Sequence, residues 1–220
     1  MNKRHFTAAA VLFSGFVGLA PLVHAASPDT DPTSEDSILR DPQIPVVGNP
    51  KGDITIIEYF DYRSPYCKKV NPDLLKVVKE DGHIRLVFKD WPVFGGVSIY
   101  AAKLALASKF QNKLFEAHEA LISATDKLTE DTVDNLLVVA GIDVQRAKQD
   151  LATNKTEIET ILARNDAQAQ AFGFQGTPAF IIGHFRVPGA LDAVRRVVLI
   201  AVAPVTGSAG LPMRRRPGSP

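Results

Sequence analysis

The run DITIIEYFDYRSPYCKKV, residues 53–70, decides the fold. Residues 53–61 carry Ile54, Ile56, Ile57, Tyr59 and Phe60 with few polar interruptions. Near-continuous β-branched and aromatic residues predict a central strand buried on both faces. Glu58 stands inside that run, where a buried carboxylate is costly without a partner or a use. It reads equally as a working acid and as one satisfied by hydrogen bonds or an edge. Ser64-Pro65 then starts a helix, because serine caps free N–H groups and proline's fixed φ suits the first helical position. The helix is expected to reach about Glu80, kinked at Pro72, with Leu74, Leu75, Val77 and Val78 on its apolar face. Asp81-Gly82 ends it. Cys67, the only cysteine of the chain, lies one turn inside.

Downstream, residues 83–89 predict a second strand with Ile84, Leu86 and Phe88 on one face. Trp91-Pro92 and Gly95-Gly96 form a loop, in which Trp91 reads as packing. Helical patterns follow over 97–110 and 112–124. Thr129 caps a third helix whose first turn holds Glu130 and Asp131, and Gly141 closes it. Asp143 caps a short helix, and 155–172 predicts a longer one with Ile158, Ile161, Leu162 and Ala169 at helical spacing. Thr177-Pro178 precedes a hairpin of residues 180–182 and 185–187 around Gly183-His184, with His184 as a turn residue. Residues from Leu191 suit a last helix. This order is an α/β layout with a helical insertion at about 97–153.

Upstream, Lys3 and Arg4 precede the apolar stretch 6–19, which is too short to span a bilayer comfortably. Pro21 breaks it, and Val23-His24-Ala25 supplies a cleavage site. Residues 1–25 are therefore expected to be a signal peptide, which places the mature chain in the periplasm, an oxidising compartment. Residues 26–52, rich in Pro, Ser, Asp and Gly, read as an extended lead-in, and residues 53–203 as the folded domain. Residues 204–220, with Arg214, Arg215 and Arg216, read as a disordered tail. The run 197–203 just before it is entirely apolar. The net charge of +1 gives no basic surface for nucleic acid, and the five scattered histidines suggest no metal site. No cofactor and no membrane attachment of the mature form are expected. One cysteine forms no internal disulfide, which leaves an intermolecular pair, a free thiol, or an inert buried residue.

Residues 48–70, 86–95 and 173–183, with VPGA at 187–190, together resemble the DsbA-like thiol-disulfide oxidoreductases, especially the periplasmic disulfide-interchange proteins of the suppressor-of-copper-sensitivity kind. The resemblance covers roughly residues 41–190. It implies a thioredoxin fold with a helical insertion and a C-P-Y-C active site. On that pattern Ser64 stands where the attacking cysteine belongs, followed by Pro65 and Tyr66, with Cys67 as the resolving thiol. Thr177-Pro178 becomes the threonine before a cis-proline that faces the site and binds substrate. Glu58 becomes the acid beneath it that helps move protons. Cysteine-containing exported proteins and a redox partner protein are the implied partners. The apolar run 197–203 departs from the charged amphipathic helix with which such proteins usually finish.

The serine changes the chemistry. A cysteine at a helix N-terminus can have its pKa lowered from about 8.5 to about 3.5, roughly 7 kcal/mol of thiolate stabilisation. Serine keeps the cap and loses the thiolate, so dithiol cycling within the chain is impaired. Cys67 is expected to be less exposed and less acidic than an attacking thiol, while still able to take glutathione or hold a partner in a mixed disulfide. Two other readings share the fold. Kappa-class glutathione transferases and the related isomerases resemble this superfamily and carry S-P-Y here, which would make Ser64 a donor to the glutathione thiolate. A client-binding module without chemistry is the third. Tyr66 reads equally as helix packing and as a site residue, and Lys68 and Lys69 as a solvated face.

Overall fold

The computed structural model describes residues 31–189, apart from 32, 45 and 184. Its elements are α1 (Glu35–Leu39), β1 (Val46–Gly48), β2 (Ile54–Phe60), α2 (Pro65–Asp81), β3 (Ile84–Asp90), α3 (Gly96–Ala107), a 3-10 turn (Ser108–Gln111), α4 (Leu114–Ile122), α5 (Glu130–Val139), α6 (Val144–Thr153), α7 (Lys155–Ala171), β4 (Ala179–Ile182) and β5 (Phe185–Pro188). The stretch expected to be a signal peptide, His184, the helix expected from Leu191 and the expected tail lie outside the described residues.

The strands order as β1-β3-β2-β4-β5, with β2 at the centre as its two-sided apolar run requires. β2 and β3 are parallel, joined by α2, while β1, β4 and β5 are antiparallel to their neighbours. Helices α3 to α6 form the insertion between β3 and α7. This is the thioredoxin fold of the DsbA-like kind.

Register and alternation sort the core into two faces. Ile56, Glu58 and Phe60 share one face with their β3 partners Leu86, Phe88 and Asp90. Against that face lies α4, whose His118 stacks on Phe88 with ring centroids 4.0 Å apart. Tyr59 and Lys89 point the other way, toward α7, where both bond Gln168 Oε1 at 2.9 Å. Tyr59 also packs against Phe172 and Phe174 there.

The lead-in differs from its expectation. Its described part builds α1, capped by Ser34, and the edge strand β1, and it buries Ile38, Asp41 and Ile44. The reason is electrostatic and tertiary. Lys89, fully buried on β3, donates to Ser37 O at 3.1 Å and pairs with Asp41 at 3.9 Å. Arg164 of α7 pairs with the same carboxylate, and Arg85 donates to Leu39 O. Burial pushes the Lys89 ammonium down to about 8, against the pull of Asp41.

Lys68 also departs from a purely solvated role. Its ammonium donates to Ala124 O at 2.5 Å, tying α2 to the end of α4.

Two glycines bring the turn before β2 against β3. A Cβ on Gly52 would sit 2.2 Å from His83 O, and one on Gly48 would sit 2.6 Å from Ile84 O. Both obstacles are backbone. Gly52→Ala is therefore expected to destabilise the fold by at least about 2 kcal/mol, seen as a lower urea midpoint with unchanged m. A midpoint within error of the parent would show that the turn yields freely.

Candidate active site

The site forms where the N-terminus of α2 meets the segment entering β4. Ser64 has the extended backbone of an N-cap, and its Oγ accepts from the Cys67 N–H at 3.3 Å. The same hydroxyl donates to Thr177 O at 3.1 Å. Pro65 occupies the first turn, and Gly82, at φ 68°, closes the helix in the left-handed conformation. The helix runs on through Pro72. The Thr177–Pro178 bond is cis.

Ser64 and Cys67 are both completely buried. Burial, and next the Glu58 charge, push the Cys67 thiol up to about 12; the Ser64 hydroxyl, the Asp61 backbone and the Thr177 side chain oppose this less strongly. A thiol in that condition is almost wholly protonated at neutral pH, and the thiolate is the nucleophile. Glu58, on the central strand between Phe88 and Phe180, is not at an edge. Burial alone pushes its carboxyl up to about 8. Ser64, Cys67, Thr177, Pro178 and Glu58 thus come together. Tyr66 stands on the rim, 61% exposed, and does not pack the helix start.

One organising residue was not among the sequence candidates. Asp61, buried at the end of β2, accepts from Arg63 N at 2.7 Å, Ser98 Oγ at 2.8 Å and Phe94 N at 3.0 Å. Gly95, the N-cap of α3, offers no side-chain cap. The Asp61 carboxylate instead ties Phe94, just before that N-cap, and the Ser98 hydroxyl in the first turn to the end of β2, where the helix dipole favours a negative charge. One side chain thereby fixes both the turn before Ser64 and the loop carrying Val93 and Phe94. Asp61-Tyr62-Arg63 has the local signature of an Asx turn, but the reach to Phe94 and Ser98 leaves no trace in the sequence. Arg63 completes the junction by donating to Phe94 O at 2.7 Å. Val93, Phe94 and Ile99 are exposed apolar side chains, and with Tyr66 they give the site a hydrophobic rim.

A disulfide cycle needs two thiols, and this chain has one. What the geometry offers is a capped helix start, a cis-proline segment bonded to it, and apolar surface beside them. No cluster of metal-binding side chains occurs among the described residues, and no helix among them is long and apolar enough to cross a membrane.

The thioredoxin family model matches residues 40–198. A thioredoxin-like oxidoreductase from Silicibacter pomeroyi DSS-3 superposes with a TM-score of 0.70 at 35% identity, over 75% of this chain and 95% of that one. The thiol-disulfide exchange protein alpha-DsbA2 from Wolbachia pipientis gives 0.68 at 29% identity, over 74% and 89%. A periplasmic thioredoxin-like protein from Salmonella enterica serovar Typhimurium gives 0.65 at 28%, over 77% and 95%. In sequence, the chain also matches 150 residues of the Na(+)/H(+) antiporter NhaA 1 of Mycobacterium sp. strain KMS at 27% identity; this is 66% of the chain and only 24% of the antiporter's length. The family match over most of the chain, joined to the parallel β2-α2-β3 unit and the cis-proline facing Ser64, shows that the chain belongs to the thioredoxin family, among its DsbA-like thiol-disulfide oxidoreductases.

Proposed function

We propose that this chain is an exported member of the family that binds cysteine-containing client proteins and does not turn over their disulfides. The observation that carries the reading is the state of position 64. A hydroxyl stands there, held between the Cys67 N–H and Thr177 O, above a sole thiol that is buried and pushed up to about 12. The exposed Tyr66, Val93, Phe94 and Ile99 supply apolar contact for an unfolded segment. Export rests on the leader-like residues 1–25 and on the periplasmic description of the Salmonella neighbour. Ser64, Glu58 and Cys67 are the positions of the family's chemistry, and Thr177-Pro178 the client-facing segment. The glutathione reading is weaker, because the Ser64 hydroxyl proton is committed to Thr177 O. Glutathionylation of Cys67 is opposed by its complete burial.

Insulin reduced by dithiothreitol tests this in one vessel. The mature chain is expected to delay the turbidity of the released B chain, and Cys67→Ala is expected to delay it equally. Cys67 should react with Ellman's reagent only after denaturation. Acceleration of turbidity by the parent would overturn the non-catalytic reading, and an unchanged time course would overturn client binding.

A further inference from the structure

Close to the active-site turn, on the sheet face that carries Glu58, three buried polar side chains converge on one cavity of about 20 Å³. Tyr62 comes from the turn, Asp90 from the end of β3 and His118 from α4. All three are more than nine-tenths buried. Both ring nitrogens of His118 lack a hydrogen-bond partner among the described residues, and Tyr62 Oη and Asp90 Oδ1, close enough to perturb one another, make no hydrogen bond of good geometry. Glu119 approaches His118 Nε2 to 3.8 Å, beyond hydrogen-bond reach.

The aromatic walls fix the imidazole. It stacks on Phe88 at 4.0 Å and 28°, and it meets Phe60 edge-on at 4.8 Å and 88°. A phenylalanine would satisfy the same walls without burying two polar nitrogens, so packing alone does not account for histidine. The volume exceeds the roughly 10–15 Å³ that one water molecule needs, and a buried water takes about 2–4 polar partners. The lining offers a phenol, a carboxyl and an imidazole, which between them donate and accept. Burial, helped by Asp61 and opposed by the Asp90 backbone and the Tyr62 hydroxyl, pushes the Asp90 carboxyl up to about 8, and burial pushes His118 down to about 3. Near pH 7 the lining is therefore uncharged, which suits water and disfavours a cation.

We propose that this cavity is a binding site for a single resident water molecule, held by Tyr62 Oη, Asp90 Oδ1 and one ring nitrogen of His118. The water then joins the turn two residues before Ser64 and the end of β3, whose Tyr62 and Asp90 already lie side by side, to α4 of the insertion. It anchors the floor of the candidate site to the helical insertion.

A crystal structure of the mature chain tests it directly. One peak of density is expected within about 3.2 Å of all three side chains, with no anomalous signal. His118→Phe is expected to lose that peak and to melt about 2–4 °C lower. Should that variant fail to fold, Tyr62→Phe in the same crystals is expected to weaken or displace the peak. The proposal is overturned by a cavity without density, by side chains that close it through direct bonds, or by a metal's anomalous peak. It is equally overturned by a His118→Phe variant that melts at or above the parent's temperature.

Discussion

Ser64→Cys is expected to convert the delay of insulin turbidity into an acceleration that scales with protein concentration. Everything around position 64 except the sulfur is already arranged for it. The Cys67 N–H is aimed at the side-chain atom of residue 64 at 3.3 Å, and a 17-residue helix places its positive end there. A thiolate at such a place has its pKa lowered from about 8.5, to between about 3.5 and 7.5 in known cases. The introduced thiol is therefore expected to titrate at least about 1 unit below a free cysteine, read from its ultraviolet thiolate absorbance. Cys67 lies one helical turn away, the spacing that lets it meet the new sulfur. Its own thiol, pushed up to about 12, would attack a mixed disulfide only after losing a proton. Glu58, with its carboxyl pushed up to about 8, is the buried group positioned to take it when ionised. The Ser64–Thr177 contact has to open for a client sulfur to enter, and Cys67 is sealed behind it. An inactive variant whose new thiol nonetheless titrates low would mean that the client surface fails. An active parent would break the requirement for two sulfurs.

The strand, the capped helix and most of the insertion were legible because each is decided locally. The apolar run around Ile56 and Ile57 forces a central strand, Ser64-Pro65 forces a helix start, and Thr129 and Asp143 cap the helices expected of them. The 97–110 pattern resolved into α3 and a 3-10 turn, an end effect that propensity does not fix. α1 and β1 were not legible, because they depend on Lys89, Asp41, Arg85 and Arg164 meeting from distant elements. In sequence those four look like ordinary surface charges, yet Lys89 is fully buried. The site shows the same division. Ser64 and Cys67 announce themselves by spacing, and Thr177-Pro178 was reached through family resemblance. Asp61, Asp90 and His118 act only once folding has brought their elements together, and no local pattern marks them.

Glu58→Gln is expected to remove about half of a steep loss of stability between pH 6.5 and 8. The carboxyl's ordinary value is 4.5, and burial in the folded chain raises it to about 8. Between those values the native protein holds a proton that the unfolded chain has released. Stability therefore falls as pH rises through the window, by about 1.4 kcal/mol per unit for each such proton. Asp90, raised from 3.8 to about 8, contributes a second proton of the same sign. Two groups act in the opposite sense, mainly outside this window. His118 is lowered from 6.5 to about 3, so its stabilising contribution is gained below pH 6.5 and is complete above it. Lys89 is lowered from 10.5 to about 8, so its contribution is gained as pH rises through 8 and mostly above it. Urea unfolding at pH 6.5, 7 and 8 thus reads mainly the two acids, and the difference between parent and variant isolates Glu58. The glutamine variant keeps the size of the side chain and cannot ionise, so its advantage over the parent should grow by about 2 kcal/mol from pH 6.5 to 8. Parallel curves would mean that Glu58 already ionises near its ordinary value, where its carboxylate is too weak a base for the proton transfer that the Ser64→Cys reaction requires. A slope that halves would place a neutral, proton-holding carboxyl beneath the Cys67 thiol at physiological pH. With its pKa near 8 a minor ionised fraction persists there, and that carboxylate is the base that takes the proton of a resolving sulfur.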